Sequence, residues 1–487
     1  MFRRRKSLLI SFLSTALIST LLSANFTLAN GASSEFSNCL LAASKNQGVS
    51  LGSPLASERL AHKTNIRIGV LPVYFKDGQV KQLSEIEKTD YLDAATYLRK
   101  ISNNLMTVQI VFLDGFKLDK TQDVLKQAYT DRNLAWSNQS TTQGTWGFVR
   151  DVISLADSTR DFSNLDSLII EANNVDRSFS IAEAMDFFRG TTGNVYRFAN
   201  SEFFKTIKTQ DGFIDNAVLL DNHKGMITIV HELLHNFGLT DLYGSKTGPG
   251  FLSIMASGAK DILNYEKAVL GWFPKEKFQC KNLNEVLKMN SVDNLIEIPD
   301  AITDSILLLK KSEDTAYLFE VINDEGKSLL VVYLLEQELR PPITAYPDPK
   351  AIFLDFFDLS DPKSIGSKYS TSDFEVLITN LKNDSVSLNL IPNSMANSEA
   401  ANSLATKSLL NRDLAIADIK AKADAEAKAK ADAEAKAKAD AEAKAKADAE
   451  AKAKVVPKKS TITCTKGKTT KKITGVNPQC PLGFKKK

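Results

Sequence analysis

The sequence predicts an α+β protein that combines an α/β domain with a mixed sheet and a central helix, a small all-β domain, a charged single-helix spacer and a short basic tail. Three patterns predict this arrangement. Strand-like apolar runs alternate with helical periodicity in the first half, short β-type runs follow, and a strict eight-residue repeat precedes a lysine-rich end. The predicted boundaries are 1–29 for a signal peptide, 30–60 for an N-terminal segment, 61–277 for the α/β domain, 278–395 for the β-rich domain, 396–455 for a linker with helical repeats and 456–487 for the tail.

The N-terminal residues have the composition of a secretory signal peptide. The basic run Arg3–Lys6 precedes an apolar stretch from Leu8 to Ala24, and small residues favour cleavage after Ala29. The apolar stretch is short and is interrupted by Ser and Thr, so a retained membrane anchor is the weaker alternative. We therefore expect a secreted, extracellular monomer, with association with the cell surface left open.

The four cysteines are expected to be paired, because exported chains meet an oxidising environment. Cys464 and Cys480 form the natural local pair, which would join Cys39 to Cys280. The sequence alone does not fix this connectivity.

The region 61–277 alternates between strand and helix patterns. "LSEIEKTDYLDAATYLRKIS" has the spacing of an amphipathic helix, and another helix is predicted near Gly147–Ala156. The predicted strands are "NIRIGVLPVYF", "LMTVQIVFL", "LDSLIIEA" and "NAVLLD". A further helix begins near Gly225, so the alternation indicates a mixed α/β layer that ends in one long central helix.

From about Phe278 to Pro392 the pattern changes to short β-type runs separated by Asp, Asn, Gly and Pro, which is typical of a small all-β domain such as a sandwich. A polar linker, "NSMANSEAANS", is predicted next. It leads to four repeats of "AKADAEAK" over residues 421–452.

The repeats are predicted to form a lone, solvated helix. Alanine in every second position supplies helix propensity but no coiled-coil seam. Opposite charges recur four residues apart, as in Asp424 and Lys428, and each such pair stabilises a helix by about 0.2–0.5 kcal/mol. The helix would be about 50 Å long at 1.5 Å per residue. A disordered charged linker is the alternative, and either would act as a spacer.

The net charge of +3 conceals a strong asymmetry. The signal peptide contributes +4 and residues 453–487 contribute +10 with no acidic side chain, whereas residues 30–420 carry −11. An acidic body of this kind argues against nucleic-acid binding. The basic tail could instead attach the protein to an anionic cell-wall or membrane surface, with a purely solubilising tail as the alternative.

The segment "HELLHNFGLTDLYG", residues 231–244, has the spacing of a metal site. His231 and His235 would lie one turn apart on the same face of a helix, so both imidazoles can reach one zinc ion at about 2.0–2.1 Å. Glu232 points to the side of that face, where a carboxylate can take a proton from the attacking water. Gly238 allows the chain to turn with a positive φ, and Asp241 can then complete a three-ligand set that leaves one position open.

Two other interpretations remain open at this point. The short motif also occurs by chance, as two partly exposed histidines on an ordinary helix. Alternatively, Glu266 could be the third zinc ligand, in the manner of thermolysin. The short span from His235 to Asp241, and the glycine between them, favour Asp241.

The segment resembles the long zinc motif of the metzincin proteases, in its variant with aspartate as third ligand. Together with "SIMASG" and "LNYEKAVLGWF", it resembles the immune inhibitor A-like family of secreted bacterial zinc metalloproteases, and the specific match covers residues 225–273. The resemblance implies a metzincin-like domain with a methionine turn. The residues to which it gives roles are His231, His235 and Asp241 as zinc ligands, Glu232 as catalytic base and Met255 in the turn.

The sequence departs from that family at two positions. Thr240 and Gly244 stand where relatives often have proline and aspartate, and because the acidic residue helps to bind calcium there, a structural Ca²⁺ ion stays an open expectation. Tyr243 and Tyr265 are candidates for stabilising the oxyanion, although packing in the core is favoured for both. His62 and His223 are expected on the surface or at the end of a strand, with a position in the cleft as the weaker alternative for His223.

The leading functional hypothesis is a zinc-dependent endopeptidase that acts on protein or peptide substrates. In metzincins, a strand above the active helix pairs with an extended substrate, and "NAVLLD" is the predicted edge strand. The alternative is a catalytically inactive surface-binding protein or adhesin on a protease scaffold. The complete set of ligands and base favours the enzyme, since a decayed scaffold would be expected to lose at least one of them.

Overall fold

The structure is a computed structural model, and it forms two compact units, Met1–Arg412 and Asp413–Lys487. The residues it describes are 38–43, 48–80, 82–132, 144–173, 178–189, 204–243, 248–256, 261–299, 304–324, 326–337, 350–382, 385–453 and 457–487. The predicted signal peptide lies outside these residues. Within them, no helix is long and apolar enough to cross a membrane.

A six-stranded mixed sheet forms the centre of the α/β region. The strands up to the motif helix, in chain order, are β1 (Asn65–Tyr74), β2 (Thr107–Phe112), β3 (Phe116–Lys117), β4 (Ser167–Ala172), β5 (Ala182–Asp186), β6 (Ile207–Lys208), β7 (Phe213–Ile214) and β8 (Asn216–Leu220). The sheet has the order β2-β1-β4-β8-β5, with β3 beside β1, while β6 and β7 form a separate pair. All its pairings are parallel except that of β5 with β8.

The prediction that "NAVLLD" forms the edge strand is wrong. This segment is β8, which lies between β4 and β5 and is buried at all five residues. Its continuous apolar pattern is that of a strand covered on both faces and paired on both edges. Among the described strands, β2 lies at one edge of the sheet and the antiparallel β5 at the other.

Helices cover both faces of this sheet. They are α1 (Glu85–Ile101), α2 (Asp123–Asp131), α3 (Gly144–Ala156), α4 (Met226–Phe237) and α5 (Asn264–Val269). Helix α1 begins at a capping box in which the side chains of Ser84 and Glu87 bond each other's backbone N–H. Alternate strand residues face different cores: Val218 packs in the core formed with α1 and α4, whereas Leu219 packs in the core formed with α2 and α3.

The β-type runs form two further sheets, as the sequence predicted. Their strands are β9 (Phe278–Asn282), β10 (Leu295–Pro299), β11 (Ser305–Lys310), β12 (Thr315–Asp324), β13 (Lys327–Glu336), β14 (Lys350–Asp358), β15 (Lys368–Ser370), β16 (Phe374–Leu381) and β17 (Ser385–Pro392), with a short helix α6 (Leu283–Val286) after β9. The five-stranded sheet has the order β14-β13-β12-β11-β9 and the four-stranded sheet β10-β17-β16-β15. One core lies between the two sheets.

The five-stranded sheet is apolar on both faces. In β12, Phe319 belongs to the core between the two sheets, whereas its neighbour Leu318 belongs to the core that contains α4. The α/β region and the β-rich region therefore share one core, which fits their placement in a single compact unit.

A helix of 55 residues, α7 (Glu399–Ala453), follows β17. The polar stretch before the repeats was predicted as a linker, and this is wrong from Glu399 onward. The side chain of Ser398 accepts a hydrogen bond from the N–H of Ala401 (3.1 Å), and Ala401 is buried against Leu377 and Ile391, so the cap and the packing start the helix early. The predicted helix through the repeats is confirmed, and the side chains of residues 421–450 are exposed.

The second unit ends in a small antiparallel sheet of β18 (Ser460–Lys466), β19 (Thr469–Gly475) and β20 (Lys485–Lys486), in the order β19-β18-β20. The disulfides are Cys39–Cys280 and Cys464–Cys480. The predicted pairing of the four cysteines is confirmed.

Candidate metal centre

Helix α4 carries the two predicted histidine ligands. Its apolar residues, Val230 and Phe237 among them, are buried in the core and fix the helix against the sheet. His231 and His235 lie one turn apart with 16% and 13% of their side chains exposed, and their ring centroids are 4.9 Å apart. The helical spacing therefore places both imidazoles side by side at the protein surface.

The helix ends at Gly238, whose φ of 112° lies in the left-handed region. The N–H of Gly238 donates to the carbonyl of His235 (2.7 Å), and the N–H of Leu239 donates to that of Leu234 (3.1 Å), so the last carbonyls are satisfied as the chain reverses. A Cβ atom at Gly238 would lie 3.0 Å from Cδ1 of Leu55. Both the conformation and this close approach favour glycine, and the predicted turn is confirmed.

The chain reversal brings Asp241 to the two histidines. Nε2 of His231 and Nε2 of His235 each lie 3.2 Å from Oδ1 of Asp241, and the three donor atoms lie within 4.8 Å of one another. On the other side of each ring, Nδ1 of His231 lies 2.8 Å from the carbonyl oxygen of Ile254, and Nδ1 of His235 lies 2.8 Å from that of Leu239. Since a carbonyl only accepts, each Nδ1 carries a proton, and a neutral ring then turns its Nε2 lone pair towards the carboxylate.

This arrangement attracts positive charge. With both rings neutral, the buried Oδ1 of Asp241 has no hydrogen-bond donor among the described residues. Burial lowers the pKa of His235, but the carboxylate of Asp241 outweighs this effect and raises that pKa to about 10. Burial likewise raises the pKa of Asp241, yet the two histidines hold it well below its ordinary value. A cation bound by the three ligand atoms would supply the positive charge that an added proton would otherwise supply.

The turn that contains Met255 contacts the site at two points. The carbonyl of Ile254 accepts the Nδ1–H of His231, and the carbonyl of Met255 accepts the N–H of Leu242 at 2.7 Å. The side chain of Met255 is fully buried in the core. The turn therefore fixes the orientation of one histidine and the path of the chain just beyond Asp241.

Glu266, the alternative third ligand, lies outside the group of three donors. It is fully buried in α5, where its Oε2 accepts from the hydroxyl of Ser253 (2.7 Å) and from the N–H of Leu263 (2.8 Å). Ser253 in turn accepts from the N–H of Met255 at 3.1 Å. The structure thus gives Glu266 a different task, which is to hold the turn that supports His231.

The side chain of Glu232 lies beside the histidines, between α4 and the edge strand β5. Only 6% of the residue is exposed, and its carboxylate accepts the N–H of Ala184 in β5. Burial raises the pKa of Glu232, while His235 and His231 lower it in part. The predicted base therefore has its position fixed by the strand that borders the site.

Sequence reasoning missed Glu183, the neighbour of Ala184 in β5. Burial and, to a smaller extent, the charge of Glu232 raise the pKa of Glu183 to about 7. No local sequence pattern identifies Glu183, because its closeness to Glu232 depends on the position of β5 at the edge of the sheet.

A buried ion pair was also missed. The guanidinium of Arg59 is fully buried, contacts the carboxylate of Asp186 and donates to the carbonyl of Phe187 at 2.8 Å. Asp186 also accepts from Nδ2 of Asn236 at 3.1 Å, and Asn236 is the residue after His235. These bonds join the N-terminal segment to the ends of both β5 and α4.

The two candidate tyrosines differ in their surroundings. Tyr265 is fully buried and its hydroxyl accepts the N–H of Leu41 at 3.2 Å, so its predicted core position is confirmed. For Tyr243 the core prediction is wrong: the residue is 56% exposed and its ring stacks 6.0 Å from that of His231. Tyr243 lies two residues after Asp241. Desolvation of its hydroxyl and, second, the carboxylate of Asp241 raise the pKa of that hydroxyl.

His223 lies between β8 and α4, at the strand end where it was predicted. Its Nε2 is 2.8 Å from Oδ2 of Asp90, and its Nδ1 is 3.6 Å from Oε2 of Glu171. With Glu87 and Glu171 it forms a second group of donor atoms within 4.8 Å of one another. The contacts of both ring nitrogens with carboxylates account for its position.

Comparison with protein-family models and with curated protein sequences finds no match to this chain. The functional interpretation therefore depends on the geometry of the site and on the sequence motif.

Proposed function

We propose that the chain is a zinc-dependent endopeptidase of the metzincin type that acts outside the cell. The observation that carries the proposal is the convergence of His231, His235 and Asp241 on one point, with Glu232 buried beside them. The likeness of the motif to that of the metzincins supports it. The two disulfides are compatible with an oxidising, extracellular environment.

The donor set fits zinc. Two imidazole nitrogens with one carboxylate oxygen are usual zinc ligands, whereas calcium and magnesium prefer oxygen ligands alone. Backbone carbonyls that orient both rings through Nδ1 are the outer-shell partners typical of metal-bound histidines. Three protein ligands leave a position open, as catalytic zinc sites require. The calcium expectation depends on Gly244, which lies outside the described residues.

When bound, a zinc ion acts as a Lewis acid on the scissile carbonyl and on the attacking water. Glu232 is the general base: its carboxylate accepts the proton of the water and later passes it to the leaving amine. The N–H of Ala184 holds that carboxylate next to the ligands. Tyr243, exposed and stacked on His231, is placed to donate to the developing oxyanion.

Strand β5 is proposed to bind the main chain of the substrate. It is the last described strand of the sheet, and the N–H of Ala184 points to Glu232 rather than to β8. The outer edge of β5 therefore faces the base. An extended peptide could add to this edge as a further strand, which would bring its carbonyls to the metal ligands.

The Glu232→Gln variant tests this proposal. It is expected to keep about one zinc ion per chain, because Glu232 is not a ligand, and to lose about 10²–10⁴-fold in peptide hydrolysis, because the base is gone. Zinc content is measured on the purified chain, and hydrolysis with casein and a quenched peptide library. The matched control is Glu276→Gln at an exposed glutamate. Unchanged hydrolysis or lost zinc in Glu232→Gln contradicts the role of the base, and a zinc-loaded wild type that cleaves no substrate supports the inactive scaffold.

A further inference from the structure

The two faces of the C-terminal sheet differ in chemistry. Residues opposite each other in an antiparallel pair share a face, and residues along a strand alternate. The register pairs Thr461 with Thr474, Thr463 with Lys472 and Thr465 with both Thr470 and Lys485. We call this set the threonine face. Its members are Thr461, Thr463, Thr465, Thr470, Lys472, Thr474 and Lys485.

The opposite face is covered by the chain itself. Cys464 points to that face, and its disulfide to Cys480 carries the segment 476–484 across it. Lys471, which pairs with Cys464, lies 5.5 Å from the ring centroid of Phe484 in the same segment. Cys464 is fully buried as a result. No described part of the second unit crosses the threonine face in this way, and its side chains are exposed or half-buried.

The threonine face presents hydroxyls between two lysines. Lys472 lies on β19 and Lys485 on β20, so they flank the threonines of the central strand β18 from both sides. Residues 457–487 contain nine lysines and no acidic side chain, so no side chain of the sheet neutralises these ammonium groups. A ligand for this face must therefore offer negative charge together with hydrogen-bonding oxygens.

We propose that the threonine face binds an acidic polysaccharide, a linear chain whose sugar units carry carboxylates and hydroxyls. Threonines on one face of β18 recur about every 6.7 Å, so an extended polymer along the strand meets one hydroxyl after another. The hydroxyls of Thr461 and Thr474 bond each other at 2.6 Å and that of Thr465 donates to the carbonyl of Lys485 at 3.4 Å, and each of these oxygens keeps a lone pair that can accept from a sugar hydroxyl. The carboxylates of the polymer would pair with Lys472 and Lys485. This binding would attach the protein to an anionic matrix. The binding does not depend on the proposed peptidase activity.

The chemistry of the face favours a polysaccharide over a membrane. Apart from threonine methyls it offers no apolar side chain that could enter a lipid layer. Within residues 457–487, two large apolar side chains are strongly exposed, Val476 (55%) and Leu482 (fully), and both lie in the segment that crosses the opposite face. Membrane attachment would therefore use that opposite face.

Two lysine pairs with the same charge separate the possibilities in the full-length protein. Lys472→Gln/Lys485→Gln removes both charges of the threonine face. Lys471→Gln/Lys486→Gln removes two charges of the opposite face, because these lysines lie opposite Cys464 in the strand register. Binding to polygalacturonate is measured at low salt by sedimentation, with neutral dextran as the blank. Vesicles of phosphatidylglycerol and phosphatidylcholine in equal parts are the membrane probe. Non-reducing mass analysis verifies the Cys464–Cys480 disulfide in each variant.

The first lysine pair is expected to weaken polygalacturonate binding by about tenfold or more, equivalent to about 1.4 kcal/mol, and the second by less than about twofold. Thr463→Val/Thr465→Val keeps the charge and the strand propensity and is also expected to weaken binding. Equal losses from the two lysine pairs would mean general electrostatic attraction and would overturn the proposal. So would unchanged binding in the valine variant, or binding to vesicles alone that depends on Lys471 and Lys486.

Discussion

Arg59→Met is expected to destabilise the first unit strongly, because it leaves the carboxylate of Asp186 buried without its counter-charge. Arg59 is fully buried and the Asp186 side chain is 8% exposed, so solvent cannot replace the lost partner. Breaking a buried pair in this way costs about 3–5 kcal/mol. Of the described residues, Asn236 alone would remain as a donor to the carboxylate.

The variant is assayed by denaturant unfolding, with zinc retention as a second measurement. Because Asp186 joins the end of β5 to Asn236 beside His235, the loss of its position is expected to weaken zinc binding as well. The double variant Arg59→Met/Asp186→Asn removes both charges and is expected to be more stable than Arg59→Met alone. Lys120→Met is the control, because Lys120 and its partner Asp151 are 45% and 59% exposed and the loss of their pair should cost at most about 1 kcal/mol.

Two results would refute this reasoning. The first is a loss of stability in Arg59→Met no greater than that in Lys120→Met, since the burial of the pair would then have no energetic consequence. The second is a double variant whose loss of stability equals the sum of the losses in Arg59→Met and in Asp186→Asn, since the two charges would then not be coupled.

Three further predictions concern the candidate metal centre and the residues that support it. Asp241→Asn is expected to lose most of its zinc and Glu266→Gln to keep it; the reverse, measured by metal analysis, would establish Glu266 as the third ligand. Burial raises the pKa of Glu320 to about 8 from the ordinary 4.5, so the folded protein keeps a proton that the unfolded chain loses. The free energy of unfolding, measured by urea titration at a series of pH values, is therefore expected to fall as the pH rises from 4.5 to about 8. Glu320→Gln is expected to flatten this pH dependence, and an unchanged pH dependence in the variant contradicts the raised pKa. Gly238→Ala should cost about 1–2 kcal/mol for its left-handed backbone, and more than Gly271→Ala, whose positive φ comes with no atom within 4 Å of the added Cβ.

The features that sequence analysis predicted correctly are local ones. The spacing of His231, His235, Gly238 and Asp241 is contained in one helix and its turn, so the backbone alone brings the donors together. The four cysteines offer few pairings, and the short loop from Cys464 to Cys480 made one of them natural. Such features need no knowledge of strand order.

The features that were missed depend on tertiary contacts. Strand β5 contains two glutamate or aspartate residues and two alanines in five positions, a weak β pattern, and only its pairing with β8 reveals that it ends the sheet. The helix that begins at Glu399 looked like a linker because its composition is polar, and the burial of Ala401 is visible only with the sheet in place. Arg59 and Asp186 are 127 residues apart in numbering, and no periodicity connects them.

The β-rich region supports the candidate metal centre through a continuous series of contacts. Glu320 in β12 accepts the N–H of Asn264 at the start of α5, the same helix in which Glu266 accepts the hydroxyl of Ser253. The turn that begins at Ser253 then orients His231 through the carbonyl of the next residue. Since β12 also packs in the core that holds α4, the strands after residue 278 are part of the structure that positions the ligands. A predicted boundary at residue 277 therefore marks a change in sequence pattern, while the packing that fixes the site continues across it.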